Sequence, residues 1–212
     1  LLAAFLPKVP SDNNISLKTL PTLVSTPALL CIFVMTALTI TGHFTAYSYI
    51  EPFLGQAAGF TNGEITMVLS AFGVIGIIVS VLFSKYYDRH QFAFLRVAVL
   101  GICICTLLLG ISSENSFIMV CTCLLWGLSI NCFNISLQSC IIEYSPFGTA
   151  IAMSIYSGIY NVGIGAGALV GGIVCSHIGI PFVGYVGGAV SLVSALFFLL
   201  TVTPVLKHSK KS

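Results

Sequence analysis

Six apolar runs, each near the 20 or so residues that carry a helix across a bilayer, leave this chain few ways to fold. They extend over Ala28 to Tyr49, Ile65 to Ser84, Phe92 to Ile111, Phe117 to Ile142, Thr149 to Cys175 and Pro181 to Val205. The hydrocarbon region holds no water, so each crossing segment must satisfy its own backbone hydrogen bonds, as a helix does. Of the 212 residues 57% are hydrophobic and 7% charged, against roughly a quarter charged in soluble domains. The predicted fold is an all-α membrane protein, a six-transmembrane-helix bundle over residues 27–206. Its connections are short, the stretch Pro52 to Gly63 and then SKYYDRH, SSENS, EYSPFG and SHIGI, which makes successive helices antiparallel neighbours.

Residues 1–6 are predicted to be the end of a preceding transmembrane helix, since they are apolar and lack the basic region and cleavage site of a signal peptide. Residues 7–26 form a polar linker punctuated by Pro7, Pro10 and Pro21, and residues 207–212 a basic tail. With the linker placed in the cytoplasm, all eight basic residues (Lys8, Lys18, Lys85, Arg89, Arg96, Lys207, Lys210 and Lys211) fall on the cytoplasmic side. The positive-inside rule then puts both ends of the bundle inside.

Polar residues within spans carry the functional signal, because they are expensive in lipid. Thr36, Thr39, His43, Tyr47 and Glu51 recur at three- and four-residue steps along the first span, as do Gly127, Asn131, Asn134 and Gln138 along the fourth. In the fifth, Ser154, Ser157, Asn161 and Gly165 line one face, and Tyr156, Tyr160, Gly163 and Gly167 another. Such stripes either bond to one another and hold a bundle together or line a wet cavity. Isolated Ser and Thr favour the first reading, since their hydroxyls return to the helix's own carbonyls. The amides of Asn131, Asn134 and Gln138 together favour the second. His43 is either a proton site, its ordinary pKa lying near working pH, or a neutral hydrogen-bonding group. Glu51, at the outer helix end before Pro52, is either a solvated interfacial carboxylate or a proton site. Trp126 either stacks on a ligand or packs.

Ser154 to Gly172 contains six glycines in nineteen uncharged residues. Glycine destabilises a water-exposed helix by about 1 kcal/mol, whereas in a bilayer Gly163, Gly167 and Gly171, four apart, let a neighbouring helix come close. Cys103/Cys105 and Cys121/Cys123 would lie about 200° apart on a helix, wrong for a shared metal, so the eight cysteines are read as small apolar filler. No phosphate loop, metal spacing or nucleophile with a base is present, and basic residues are too scarce for nucleic acid. The chain is therefore read as neither an enzyme nor a nucleic-acid binder, and no cofactor or metal is predicted.

Six helices after a polar linker, a basic turn between the second and third and a glycine-rich fifth resemble the C-terminal half of a major facilitator superfamily transporter. Gly76-xxx-Ser80-xxx-SKYYDRH resembles that superfamily's loop motif, with Asp88 and Arg89 as its acidic-basic pair. It lacks the glycine and paired basic residues that normally follow. Gly163-xxx-Gly167-Ala168-xx-Gly171-Gly172 is similar to the antiporter motif of proton-driven exporters, with Ala168 where proline would stand. Together with YSYIEPFL, the run YSGIYNVGIGAGALVGG is similar to the sugar efflux branch of the drug:proton antiporter family.

The resemblance implies a fragment of a secondary transporter of the inner membrane that exports a sugar or similar small polar solute in exchange for protons, by alternating access. Its partners would be membrane lipid, the solute, protons and the N-terminal six-helix half. It further implies that Thr39, His43, Tyr47, Trp126, Asn131, Asn134, Gln138 and Asn161 line the substrate cavity, and that His43 or Glu51 couples protons. Asp88 and Arg89 would belong to a gating loop, and Ser154, Gly158, Gly163, Gly165, Gly167, Gly171 and Gly172 to helix packing. The alternatives are a multidrug:proton antiporter of the same superfamily and a self-associating six-helix channel or scaffold.

Overall fold

The computed structural model describes Leu23 and residues 25–146 and 148–209. The expected helix end at 1–6, all but Leu23, Ser25 and Thr26 of the linker at 7–26, and Lys210 and Lys211 of the tail lie outside the described residues. The described elements are all helical: α1 (Pro27–Tyr47), α2 (Ile50–Gln56), α3 (Asn62–Ser112), α4 (Ser116–Tyr144), α5 (Thr149–His177), a 3-10 turn (Ile180–Phe182), α6 (Val183–Phe197), a π-helical segment (Phe198–Val202) and α7 (Thr203–Ser209).

Local chemistry explains most of the boundaries. Pro27 opens α1, where its missing N–H would have had no partner. Continuing α1 through Pro52 would drive the proline ring into the Ser48 carbonyl, so the chain breaks at Ser48 and Tyr49 (φ −119°, ψ 15° at Tyr49) and restarts as α2. The expected first span therefore ends two residues early. Thr61 and Glu64 start α3 with a reciprocal capping box, Glu64 Oε2 accepting from Thr61 N at 2.8 Å and Thr61 Oγ1 from Glu64 N at 3.4 Å. Asn115 Oδ1 caps α4 by accepting from Phe117 N and Ile118 N. Gly179, at φ +112°, ends α5, its N–H returning to Val174 O at 2.9 Å. Pro204 cannot donate to the preceding turn, and beside it the helix widens over Phe198–Val202, where Thr203 Oγ1 donates to Phe198 O at 2.9 Å.

The expected loop SKYYDRH is not a loop. Helical backbone runs from Asn62 to Ser112 with one non-helical residue, His90 (φ −130°, ψ 32°), because the segment contains neither glycine nor proline to stop a helix. Two crossings survive all the same. In a straight helix Gly76 and Gly101 would stand roughly 37 Å apart, yet both abut one short stretch of α4: a Cβ on Gly76 would lie 2.8 Å from Asn131 Oδ1, and Gly101 meets Ser129 Oγ. The rings of Phe83 and Phe94, eleven positions apart, are 5.7 Å between centroids. The chain doubles back at His90, and the arms 62–89 and 91–112 are the second and third of six crossings. Tyr87, Gln91 and Glu143 fasten the turn to α4: Gln91 Nε2 donates to Tyr87 Oη at 3.1 Å and to Glu143 Oε2 at 2.5 Å, and Tyr87 Oη donates to Ser136 O at 3.3 Å.

Small residues bring the helices together. A Cβ on Gly167 would lie 2.6 Å from Thr41 O, and one on Gly163 3.0 Å from Ile40, so α5 runs parallel to α1 at near-backbone contact. On the other side of α1, Gly42 and Gly187 meet backbone to backbone, and Thr39 Oγ1 and Ser194 Oγ share a hydrogen bond of 2.6 Å. Gly184 approaches Thr106 O from α6, and Ser112 bonds Thr122 at 2.8 Å between α3 and α4. Trp126, Phe53, Phe133 and Phe198 fill the interior, while Met67, Ile77, Val162 and Leu200 stand outward, as lipid- or partner-facing side chains do. Among the described residues Lys85, Arg89, Arg96 and Lys207 all fall at the end formed by the His90 turn and α7. Glu51, Glu64 and Glu114 fall at the opposite end.

Candidate solute cavity

An open cavity of about 360 Å³, its wall mixing aromatic surface with amides and hydroxyls, lies between α4 and α5, lined by Asn134, Gln138, Met153, Tyr156, Ser157 and Tyr160. Helical spacing makes it: Asn134 and Gln138 are four apart on α4, and Met153, Tyr156, Ser157 and Tyr160 recur at three- and four-residue steps on α5, so each set shares one face. Gln138 and Asn134 stand six and ten residues before the α4 terminus at Tyr144, roughly 9 and 15 Å along the axis. The cavity therefore lies toward the basic end. Two of its polar atoms, Asn134 Oδ1 and the Tyr156 hydroxyl, are buried without a hydrogen-bond partner. A buried group in this state carries an unmet desolvation penalty of about 1–3 kcal/mol. The wall offers amide and hydroxyl donors and acceptors and no charge, which suits a neutral polar molecule.

Farther from the basic end, rings from three elements meet. His43 stacks on Tyr47 (centroids 5.0 Å, planes 18° apart) and meets Trp126 edge-on at 5.2 Å, and Phe72 joins both Tyr47 and Trp126 at 5.3 and 5.8 Å. Trp126 is fully buried and His43 nearly so; Trp126 Nε1 and His43 Nδ1 have no partner. The polar stripe of α1 thus meets a cluster of rings whose Trp126 stands eight residues before Asn134 on α4, roughly 12 Å farther from the basic end.

The structure separates the residues that the sequence grouped. His43, Tyr47 and Trp126 come together in the ring cluster; Asn134 and Gln138 come together in the cavity. Thr39 is engaged with Ser194. Asn131 turns back, its Nδ2 donating to Gly127 O at 2.8 Å while its Oδ1 lies against Gly76, and Asn161 likewise donates to Ser157 O on an exposed face. Glu51 is exposed on α2, and Asp88 and Arg89 are exposed just before the His90 break. Gly163, Gly167 and Gly171 pack on α1, and a Cβ on Gly172 would lie 2.8 Å from Tyr49 Oη. Ser154, Gly158 and Gly165 are exposed, with no atom within 4 Å of a Cβ on either glycine. Met153, Tyr156, Ser157 and Tyr160 join the cavity although none is among the cavity residues expected from the sequence; their three- and four-residue spacing on one face of α5 is the available signal. All eight cysteines are free thiols.

A bundle of membrane-crossing helices with an open, uncharged recess between two of them defines the class of this protein. A profile of the Major Facilitator Superfamily matches residues 1–152, and the chain belongs to that superfamily of transporters. It is 42% identical over 202 residues to a "Probable sugar efflux transporter" of Mannheimia succiniciproducens, covering 94% of this chain and 50% of the relative. Proteins of the same name from Helicobacter pylori and Pasteurella multocida are each 39% identical, over 96% and 94% of this chain and 52% and 50% of theirs. The chain spans about half the length of the curated relatives it matches.

Proposed function

We propose that this chain is the C-terminal half of a proton-coupled exporter that moves a sugar or similar small polar solute by alternating access, with the cavity between α4 and α5 holding the solute. The observation that carries this reading is the pairing of an unpartnered acceptor, Asn134 Oδ1, with an unpartnered donor, the Tyr156 hydroxyl, in one uncharged cavity. A sugar hydroxyl donates and accepts at once and meets both needs. Tyr156 and Tyr160, at 5.8 Å and 60°, offer ring surface for the apolar face of a pyranose. The names of the relatives support the same solute class.

In this reading the basic end is cytoplasmic, the cavity opens inward, and the ring cluster closes the outward side. The exposed small face of α5, with Ser154, Gly158, Asn161 and Gly165, meets the N-terminal half and slides on it as the two halves rock. His43 and Glu51 are this half's candidates for proton coupling. Transport of labelled sugars by the full-length protein in proteoliposomes tests the solute site. Asn134→Ala and Tyr156→Phe should each lower kcat/KM about three- to tenfold, as losing a neutral hydrogen bond implies, at unchanged protein level. Unchanged transport in both variants would assign these groups to packing. A pH dependence of transport that survives His43→Ala would remove His43 from the coupling path.

A further inference from the structure

Past Tyr47, where the first span breaks, a second polar space opens that belongs to neither the cavity nor the ring cluster. It is a groove of about 550 Å³ lined by Glu51 of α2 and by Asn62, Ile65, Thr66, Leu69 and Ser70 of α3. Asn62, Thr66 and Ser70 are four residues apart and form one polar line on the helix, with Ile65 and Leu69 beside it. α2 packs beside this line, a Cβ on Gly55 standing in ordinary contact with Ile65 Cδ1 at 3.6 Å, and Glu51 lines the same groove.

The donor set narrows the ligand. Thr66 Oγ1 gives its proton to Asn62 O at 2.8 Å, which leaves its lone pairs to accept. The Asn62 amide and the Ser70 hydroxyl both donate and accept, and the Glu51 carboxylate accepts at two oxygens. A single carboxylate is too few oxygen ligands of charge for a divalent cation, and it repels an anion. What fits is a neutral polyhydroxylated molecule, its hydroxyls on the polar line and its C–H face on Ile65 and Leu69. Ser70 precedes Phe72 by two residues, Glu51 follows Tyr47 by four and Asn134 follows Trp126 by eight, so along the helix axes the contacting rings of Tyr47, Phe72 and Trp126 lie at a depth between groove and cavity.

We infer that the groove formed by Glu51, Asn62, Thr66 and Ser70 is a second, outer binding site for a polyhydroxylated solute, filled after the solute has passed the ring cluster. This rests on the sugar-export reading. Sugar outside refills the groove and slows further release. The test is efflux of 14C-glucose and 14C-lactose from proteoliposomes holding the full-length protein, with unlabelled sugar titrated on the outer side.

External sugar should slow wild-type efflux. In Thr66→Val/Ser70→Ala the half-inhibiting concentration should rise about fivefold, in line with losing one neutral hydrogen bond or two. The inner-side KM, set by the α4–α5 cavity, should stay unchanged. Asn134→Ala should do the reverse, raising the inner KM alone. Should the double variant fold poorly, Ser70→Ala and Asn62→Ala, both at exposed positions, give the same comparison. Wild-type efflux that ignores external sugar, or the same half-inhibiting concentration in wild type and variants, would overturn the outer site and leave the export reading standing. Absence of saturable flux of either sugar through the wild type would overturn both.

Discussion

Gly165 and Gly167 stand two positions apart on α5 in surroundings that differ sharply. A Cβ on Gly167 would lie 2.6 Å from Thr41 O and 2.9 Å from Thr45 N, both backbone atoms that have no room to give. At Gly165 no atom lies within 4 Å. Gly167 lets two helices of this bundle touch backbone to backbone. Gly165 meets nothing in its own bundle and is small without any local need to be. Two positions on a helix are about 200° apart, so one glycine-rich sequence supplies a fixed seam on one side and an open one on the other.

That comparison orders the expected effects of substitution. Gly167→Leu should be the most damaging, because overpacking against backbone destabilises by about 3 kcal/mol or more. A sharp loss of monodisperse protein on detergent size-exclusion is expected, and a normal yield would mean that the seam between α1 and α5 is looser than described. Gly165→Leu should leave that yield intact and lower sugar transport by the full-length protein about tenfold, equivalent to about 1.4 kcal/mol on the barrier. Wild-type transport in this variant would show that the open face does not slide on the other half.

Within the amide stripe, Asn134→Ala should reduce transport severalfold while Asn131→Ala leaves it within about twofold, since Asn131 already spends its amide on Gly127 O. Equal effects in a side-by-side flux assay would undo the distinction between cavity and packing amides. Smallest is Thr39→Val, which removes the bond to Ser194 and should lower stability by about 1 kcal/mol in a denaturant titration, with transport per folded molecule unaltered.

How much of this was legible beforehand varies with the physical scale of the signal. The six crossings follow from hydropathy, because a bilayer tests each segment almost independently of its neighbours. The breaks at Pro52 and Gly179 and the caps at Thr61 and Asn115 are one-residue or four-residue signals and were equally open to reading. In the sequence SKYYDRH is a short connection between two apolar runs. Its residues keep helical backbone up to His90, and the reversal shows only in long-range neighbours such as Phe83 and Phe94.

The candidate site was half legible. Periodicity put Asn131, Asn134 and Gln138 on one helix face, but a face of an α4-like helix is wide enough to touch two partners. Which amide met the arm at Gly76 and which met α5 depended on where those helices lay. Periodicity places Tyr156 on the glycine face of α5, and only the position of α4 makes its hydroxyl part of a cavity wall.

The sequence by itself determined that this is a membrane protein with six apolar runs long enough to cross a bilayer and with polar stripes that do not belong in lipid. These are properties of single segments and of the medium around them. The tertiary structure decided what each stripe meets: Gly163, Gly167 and Gly171 touch α1, Asn134 shares a cavity with Tyr156 and Tyr160, His43 joins Tyr47 and Trp126 in a cluster of rings, and Glu51 shares a groove with Asn62, Thr66 and Ser70. The reason is that a helix fixes which residues share a face, whereas the partner each face meets depends on how close the neighbouring backbones come. Here that approach is set by glycines on both sides of the contact, as at Gly42 and Gly187.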